Sequence, residues 1–171
     1  MVVEIGRQLL FVAFPLALAY AAASDLLTMT IANRLVAAML AAFALSLPLV
    51  GVTWHEAMMH LAAGGLVIAI TFAFFAAGWI GGGDAKFAAV VALWLGWNNL
   101  VDFTLYAALF GGALTLFVLS FRRSVLPAFV IRQPWVQRLH DKKAGVPYGV
   151  ALAAAGLLTY PDTVWMRLAT G

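Results

Sequence analysis

Six apolar segments, separated by short polar stretches, make up most of this sequence. They cover residues 9–23, 35–50, 57–80, 87–97, 103–121 and 146–160. Hydrophobic residues account for 65% of the 171 residues and charged residues for 10%, and the mean hydropathy is +1.00. A water-soluble domain of this length needs more polar surface than that. The sequence therefore predicts an all-α membrane protein in which residues 1–171 form a single polytopic domain.

The charge and cysteine content narrow the possible functions. The chain has no cysteine, which excludes disulfides, a thiol nucleophile and cysteine-ligated metal centres. Its net charge of +3 is better explained by basic residues on cytoplasmic loops than by nucleic-acid binding, because no basic run is interleaved with aromatic residues in the way usual for nucleic-acid-binding proteins. We expect membrane lipid as a partner and no nucleic acid.

A small polar cluster follows the second apolar segment. His55, Glu56 and His60 could suggest a metal site, but the two histidines are five positions apart and do not have the His-x-x-x-His spacing of helical zinc sites. We expect a solvated loop here and no metal.

The first apolar segment has two interpretations. It ends in Ala-Ala-Ala-Ser, as a signal peptide does, but the flanking positive charge is heavier after it, at Arg34. Five further apolar segments follow. We interpret it as a first transmembrane helix, with a cleaved signal peptide as the alternative.

The fourth apolar segment is short. Even if the segment is extended to residues 85–98, it has about 14 residues. A helix of that size is about 21 Å long at 1.5 Å per residue, whereas the hydrocarbon core of a membrane is about 30 Å thick. We expect this helix to begin below the membrane surface, which would place Asp84 in a recess.

The distribution of basic residues predicts the topology. With six spans and both termini outside, eight of the ten Lys and Arg residues lie inside and only Arg7 and Arg167 lie outside. The long inner loop, 122–145, mixes basic and aromatic residues and suits an interfacial segment on anionic lipid. The eight basic residues predicted to lie inside are Arg34, Lys86, Arg122, Arg123, Arg132, Arg138, Lys142 and Lys143.

The third and fourth segments are joined by three glycines and an aspartate, Gly81-Gly82-Gly83-Asp84. An ionisable residue at a membrane segment is a functional-site hypothesis by default, and glycines let another backbone approach closely. In the predicted topology Asp25 shares the inner face and the membrane edge with Asp84, whereas Asp102 and Asp162 face outward and Asp141 lies beside two lysines in the loop.

Two carboxylates at one site suggest an aspartyl-protease arrangement. Such a pair holds one proton: the ionised member activates water, and the protonated member polarises the scissile carbonyl. Asp84 begins a helix and Asp25 follows one, so helix dipoles favour Asp84 as the base and Asp25 as the acid. In the alternative interpretation Asp84 is only an N-cap, Asp25 a polar helix terminator and Lys86 a positive-inside anchor.

Three motifs together resemble the bacterial prepilin leader peptidases, a family of Gly-x-Gly-Asp membrane aspartyl proteases. The first is the glycine–aspartate stretch with its continuation to Lys86. The second is Asp25 followed by Ile31-Ala32-Asn33, with Ala32 where the family usually has proline. The third is Pro147-Tyr148-Gly149 at the start of the last helix. The resemblance covers about residues 15–158.

The resemblance implies a peptidase of the bacterial inner membrane that removes the basic leader of type IV prepilins or pseudopilins after a glycine, on the cytoplasmic side. It implies Asp25 and Asp84 as the catalytic residues and no cofactor. The chain is similar to the short, peptidase-only form associated with tight-adherence (Flp) pili, so no N-methyltransferase activity is expected. The residues expected to bind substrate or shape the site are Gly81, Gly82, Gly83, Lys86, Asn33, Pro147, Tyr148 and Gly149.

Two other functions fit the same sequence. One is a related Gly-x-Gly-Asp protease with another substrate, such as a preflagellin-like or transmembrane signal-peptide target. The other is a non-enzymatic membrane protein that passes protons through Asp25 and Asp84, such as a small proton-coupled transporter. Asn33 has a second interpretation as well, as the helix cap of the second span.

Overall fold

The computed structural model describes the backbone of residues 2–170 and the side chains of residues 11–127 and 129–167. Over this part the chain is helical and contains no strand, which confirms the all-α prediction. A 3₁₀ turn at Trp97–Asn99 precedes α5, and another at Tyr160–Asp162 follows α8. The α-helices are α1 (Val2–Thr28), α2 (Asn33–Val50), α3 (Trp54–Ala76), α4 (Gly82–Leu95), α5 (Leu100–Phe121), α6 (Ala128–Ile131), α7 (Pro134–His140), α8 (Tyr148–Thr159) and α9 (Val164–Thr170).

Four of the described segments are long and apolar enough to cross a membrane: Phe11–Thr28, Asn33–Val50, Trp54–Ala76 and Trp97–Phe121. Large apolar side chains such as Leu16, Leu109 and Phe117 are exposed on their outer surfaces, as expected for helices in contact with lipid. The remaining two predicted spans, α4 and α8, have 14 and 12 residues. The six-span topology and its orientation stay predictions.

Helix α4 forms the centre of the molecule. It packs against α2, α3, α5 and α8, and every residue from Phe87 to Leu95 is buried. Close approach to α3 depends on Gly64, where an added Cβ would lie 3.0 Å from the Cβ of Leu93. A helix segment surrounded by protein needs no polar face, which explains why residues 87–95 of α4 are apolar on every side.

An aromatic cluster surrounds the C-terminal end of α4. The Trp94 ring stacks on Phe14 at 4.8 Å and lies 5.4 Å from the Trp165 ring. Both indole nitrogens are satisfied, because Trp94 Nε1 donates to the Met39 carbonyl at 3.1 Å and Trp165 Nε1 donates to the Trp94 carbonyl at 2.6 Å. Buried indole groups with partners fix one packing arrangement.

The polar cluster at 55–60 is not a solvated loop, so that expectation was wrong. Helix α3 begins at Trp54, and a capping box joins Thr53 and Glu56. His60 lies one turn further on and is buried, and its Nδ1 is 2.7 Å from the Leu93 carbonyl. The Thr-x-x-Glu pattern was the sequence signal for this helix start.

The loop between α5 and α8 contains two short helices. Pro127 precedes α6 and Pro134 opens α7, so the prolines divide the loop as expected. The basic residues are not all solvated, however. Arg122 is buried and donates to main-chain carbonyls, and Arg138 donates to the Leu27 carbonyl in the last turn of α1.

Candidate active site

A cavity of about 590 Å³ lies where the end of α1, the start of α4 and the segment before α8 meet. Asp25 and Asp84 both line it, so the structure brings together the two aspartates that were paired from the sequence. The other lining residues come from three connecting segments and are Met29, Thr30, Ile31, Gly78, Trp79, Ile80, Gly81, Gly82, Gly83, Gly145, Val146 and Tyr148.

Asp25 lies within the last turn of α1 and is 4% exposed. The expectation that it follows the helix was wrong, because α1 continues to Thr28. The chain then reverses at Met29, a non-glycine residue with φ of 55°, and Thr30 and Ile31 pass along the cavity. The backbone of Asp25 therefore belongs to a helix and not to the connecting segment that follows it.

The backbone N–H of Gly149 donates to Asp25 Oδ2 at 2.7 Å. This contact requires glycine, because an added Cβ would lie 2.8 Å from Asp25 Oδ2 and 2.7 Å from Ile31 Cδ1. Pro147, two residues earlier, is fully buried and does not line the cavity. The third sequence motif thus contributes a main-chain donor to one of the two aspartates.

Asp84 is the third residue of α4, and Gly81 is the N-cap residue. The N-cap position is occupied by Gly81, so the interpretation of Asp84 as an N-cap was wrong. The Asp84 carboxylate instead accepts a hydrogen bond from the backbone of Gly81, and an added Cβ on Gly81 would lie 3.0 Å from Asp84 Oδ2, which is tighter than an ordinary contact. The carboxylate lines the cavity near the positive end of the α4 dipole.

The other two glycines have different neighbours. A Cβ on Gly82 would lie 3.3 Å from the Phe75 ring, whereas one on Gly83 would make only ordinary contacts of 3.7 Å with Ile31. The Gly83 position therefore has room for a methyl group in contact with Ile31, and it lines the cavity.

The two carboxyl groups interact electrostatically. Two negative charges in a partly buried site repel each other, so such a pair favours a state that holds one proton. General acid and general base chemistry on a bound water or carbonyl needs this combination of an ionised and a protonated carboxyl group.

Lys86 and Asn33 are not among the residues that line this cavity. The Lys86 ammonium donates to Asn33 Oδ1 at 3.2 Å on another face of α4. Asn33 is the first residue of α2, whose N-cap residue is Ala32 and which has no side-chain cap, so the helix-cap interpretation of Asn33 was wrong. This pair joins α2 to α4.

Tyr148 has a partner that the sequence did not suggest. Its hydroxyl lies 3.0 Å from Thr115 Oγ1, and its ring covers Gly111, where an added Cβ would lie 3.4 Å from the ring. Thr115 and Gly111 both belong to α5, so Tyr148 joins α8 to that helix. The only sequence signal was a lone threonine among apolar residues, which is too common to identify a contact.

A smaller cavity of about 160 Å³ shares Ile80, Asp84 and Tyr148 with the first. It lies between α3, α4, α5 and α8, and its remaining lining is almost entirely apolar: Thr71, Phe74, Ala88, Ala107, Ala151 and Leu152. Asp84 thus lies at the boundary between the cavity that holds both carboxyl groups and a smaller, apolar one. Among the described residues, no group of three or more His, Asp or Glu could hold a metal ion.

Comparison with protein families gives one match. The model described as the type IV leader peptidase family matches residues 12–116. This range includes Asp25 and Asp84 and ends before the loop that leads to α8. Comparison with the curated proteins and with the solved structures finds no match.

Proposed function

Because this chain belongs to the type IV leader peptidase family, we propose that it is an aspartyl endopeptidase that removes the basic leader of type IV prepilins or pseudopilins. The observation that carries the proposal is the shared cavity of Asp25 and Asp84, two residues that are distant in sequence and lie on different helices. A peptidase needs an acid and a base on opposite sides of one scissile bond, and this cavity supplies two carboxyl groups.

In the proposed mechanism the aspartate pair holds one proton. Asp84, in the first turn of α4, takes a proton from water, which then attacks the scissile carbonyl. Asp25 is the protonated member; it polarises that carbonyl and supplies a proton to the leaving amine. The N–H of Gly149 fixes the orientation of the Asp25 carboxyl group while the proton moves.

The larger cavity holds both carboxyl groups and the smaller cavity beside it is almost entirely apolar, which supports a substrate with a basic segment on one side of the cleaved bond and an apolar segment on the other. A prepilin has this form, with a basic leader followed by an apolar helix. We propose cleavage after a glycine at the cytoplasmic edge of the bacterial inner membrane, by a six-span protein with both termini outside. In this topology the short α4 starts below the membrane surface, so that Asp84 lies in a recess.

We further propose that the protein is a peptidase without N-methyltransferase activity, of the type that serves tight-adherence (Flp) pili. In support, only residues 29–32 connect α1 to α2, so the zinc-binding domain of the longer forms is not inserted there. The chain also lacks the cysteines that such a domain requires. Methyl transfer from S-adenosylmethionine by the purified protein would contradict this proposal.

A gel-shift cleavage assay tests the proposed function. The protein is co-expressed with a Flp-type prepilin as wild type, Asp25→Asn, Asp84→Asn and Asp102→Asn, the last as a matched control at an exposed position. We expect the two cavity variants to insert normally and to lose cleavage by about 10²-fold to 10⁴-fold, since each removes the acid or the base. The control should cleave as wild type does.

Other results would favour the other functions. Normal cleavage by both cavity variants would exclude the aspartyl mechanism. Cleavage of a different leader peptide, but of no prepilin, would identify a related protease. A proton-coupled transporter would cleave nothing and would show a pH-dependent flux that falls gradually on Asp→Glu substitution.

A further inference from the structure

Two adjacent arginines at the end of α5 have different surroundings. Arg122 is 8% exposed, whereas Arg123 is exposed to solvent. The Arg122 guanidinium donates from Nε to the Leu139 carbonyl at 2.8 Å and from Nη2 to the Gly145 carbonyl at 2.7 Å. Burying a charged group is costly unless its donors are satisfied, and the planar guanidinium fixes two acceptors relative to each other.

The Gly145 carbonyl belongs to the segment that forms one wall of the larger cavity. Gly145, Val146 and Tyr148 line that cavity, and Gly149 donates its N–H to Asp25. Gly149, which donates to Asp25, is therefore only four positions after Gly145, whose carbonyl accepts from Arg122. A shift at Gly145 would move the cavity wall and the Asp25 hydrogen bond together.

The other acceptor of Arg122, the Leu139 carbonyl, lies near the end of α7. Helix α7 in turn contacts the end of α1, close to Asp25. Arg138, the residue before Leu139, donates to the Leu27 carbonyl, two residues after Asp25 in α1. Helix α7 also packs against both α1 and α5. The loop is thus tied to the end of α1, which carries Asp25, and to the end of α5.

From these contacts we infer that Arg122 is a positioning residue, which holds segment 145–149 against Asp25 and so keeps the cavity in its working shape. The inference rests on the proposed peptidase function. Arg123 has the same charge at the next position and makes no side-chain hydrogen bond among the contacts described. A role in membrane topology alone would make the two arginines equivalent.

The absence of cysteine from the chain makes a direct test possible, because one introduced cysteine is a unique label. Val146→Cys reports on the cavity wall, and Asn98→Cys reports on the opposite end of α4. Each is combined with Arg122→Gln, Arg122→Lys or Arg123→Gln in the full chain in native membranes, and maleimide labelling rates are measured. Prepilin cleavage is measured in the same arginine variants without the cysteine.

We expect Arg122→Gln to speed labelling at position 146 by about tenfold or more and to slow cleavage by a similar factor, because two charge-assisted hydrogen bonds are lost. Arg122→Lys should be intermediate, since an ammonium is a point donor that does not reproduce the two-carbonyl fork. Arg123→Gln should stay within about twofold of the parent in both measurements.

Three results would overturn the inference. If Arg122→Gln and Arg123→Gln changed the labelling and cleavage rates equally, the loss of one positive charge would explain both results, and the buried hydrogen bonds of Arg122 would have no special role. Faster labelling at both reporters would assign Arg122 a general role in folding. Faster labelling at 146 with unchanged cleavage would show that the segment does not position the site. If the parent protein cleaves no leader, the proposed function fails, and the labelling rates at 146 still decide whether Arg122 holds the segment.

Discussion

The backbone N–H of Gly149 donates a 2.7 Å hydrogen bond to Asp25 Oδ2, and this contact joins the start of α8 to the last turn of α1. It satisfies one carboxylate oxygen at a residue that is almost completely buried. The start of α4 forms another side of the cavity, and Asp84 is the third residue of that helix. Both aspartates thus lie at a helix end and contact a main-chain group, but the partner of Asp25 is distant in sequence whereas that of Asp84 is Gly81, the N-cap residue of its own helix.

We predict that Gly149→Ala lowers the rate of leader cleavage by about 100-fold, because a displacement of about 1 Å at a catalytic group has an effect of that order. The added methyl would lie 2.8 Å from Asp25 Oδ2 and 2.7 Å from Ile31 Cδ1, so one of them must move. The measurement is kcat in a purified detergent or nanodisc assay.

Gly112→Ala is the matched control for this substitution. An added Cβ at Gly112 meets no atom within 4 Å, and the position lies inside α5. This variant should retain full activity. Equal activity of the Gly149 and Gly112 variants would contradict the importance of the Asp25 contact.

Gly81 and Gly83, two of the three glycines before Asp84, should respond differently to alanine. Gly81→Ala places a methyl 3.0 Å from Asp84 Oδ2, so we expect a fall in kcat. Gly83→Ala makes only ordinary contacts of 3.7 Å. It should leave stability and kcat unchanged and raise KM, because the methyl protrudes into the space that an extended substrate needs. Steady-state kinetics and thermal unfolding of the two variants separate these effects, and a fall in kcat for Gly83→Ala alone would reverse the assignment.

The hydroxyls of Tyr148 and Thr115 should behave as a coupled pair. They lie 3.0 Å apart between α8 and α5. Tyr148→Phe and Thr115→Val should each destabilise the protein, and the double variant should lose less than the sum, with a coupling energy of about 0.6 kcal/mol. A double-mutant cycle on unfolding free energy gives this value. Strict additivity would mean that the two hydroxyls do not interact in the membrane.

His60 should matter for stability and not for catalysis. It satisfies the Leu93 carbonyl in the last turn of α4, at the opposite end from Asp84. His60→Leu leaves that carbonyl without its side-chain partner, and we expect a loss of about 1–3 kcal/mol in unfolding free energy. Cleavage per folded molecule should not change. His55→Leu, at an exposed position one turn earlier, is the control and should affect neither quantity.

The pairing of Asp25 with Asp84 was within reach of the sequence because it depends on topology. Asp25 follows the first apolar segment and Asp84 follows the third. Any topology in which the first three segments all cross the membrane therefore places the two residues on the same side. The start of α4 could be predicted for a similar reason, since three glycines interrupt two apolar runs. Local pattern and the parity of spans therefore carry the general location of the site.

The contacts that complete the site could not be predicted in this way. The Gly149–Asp25 and Arg122–Gly145 bonds join residues that are distant in sequence, and no periodicity encodes which main-chain group meets which side chain. Arg122 and Arg123 are indistinguishable as sequence, yet only the first is buried. His60 was missed for a different reason: a polar residue near a predicted helix end was assigned to water, whereas the carbonyl of Leu93 provides its partner.

The Gly149–Asp25 contact also has a consequence for biogenesis. Its two residues are 124 positions apart, and the donor belongs to the last helix before the short C-terminal elements. During synthesis Asp25 is made early, and its hydrogen-bond partner follows 124 residues later. A nascent or truncated chain that ends before α8 therefore lacks the main-chain donor to Asp25, and the site is complete only after α8 has been made and has packed against α1.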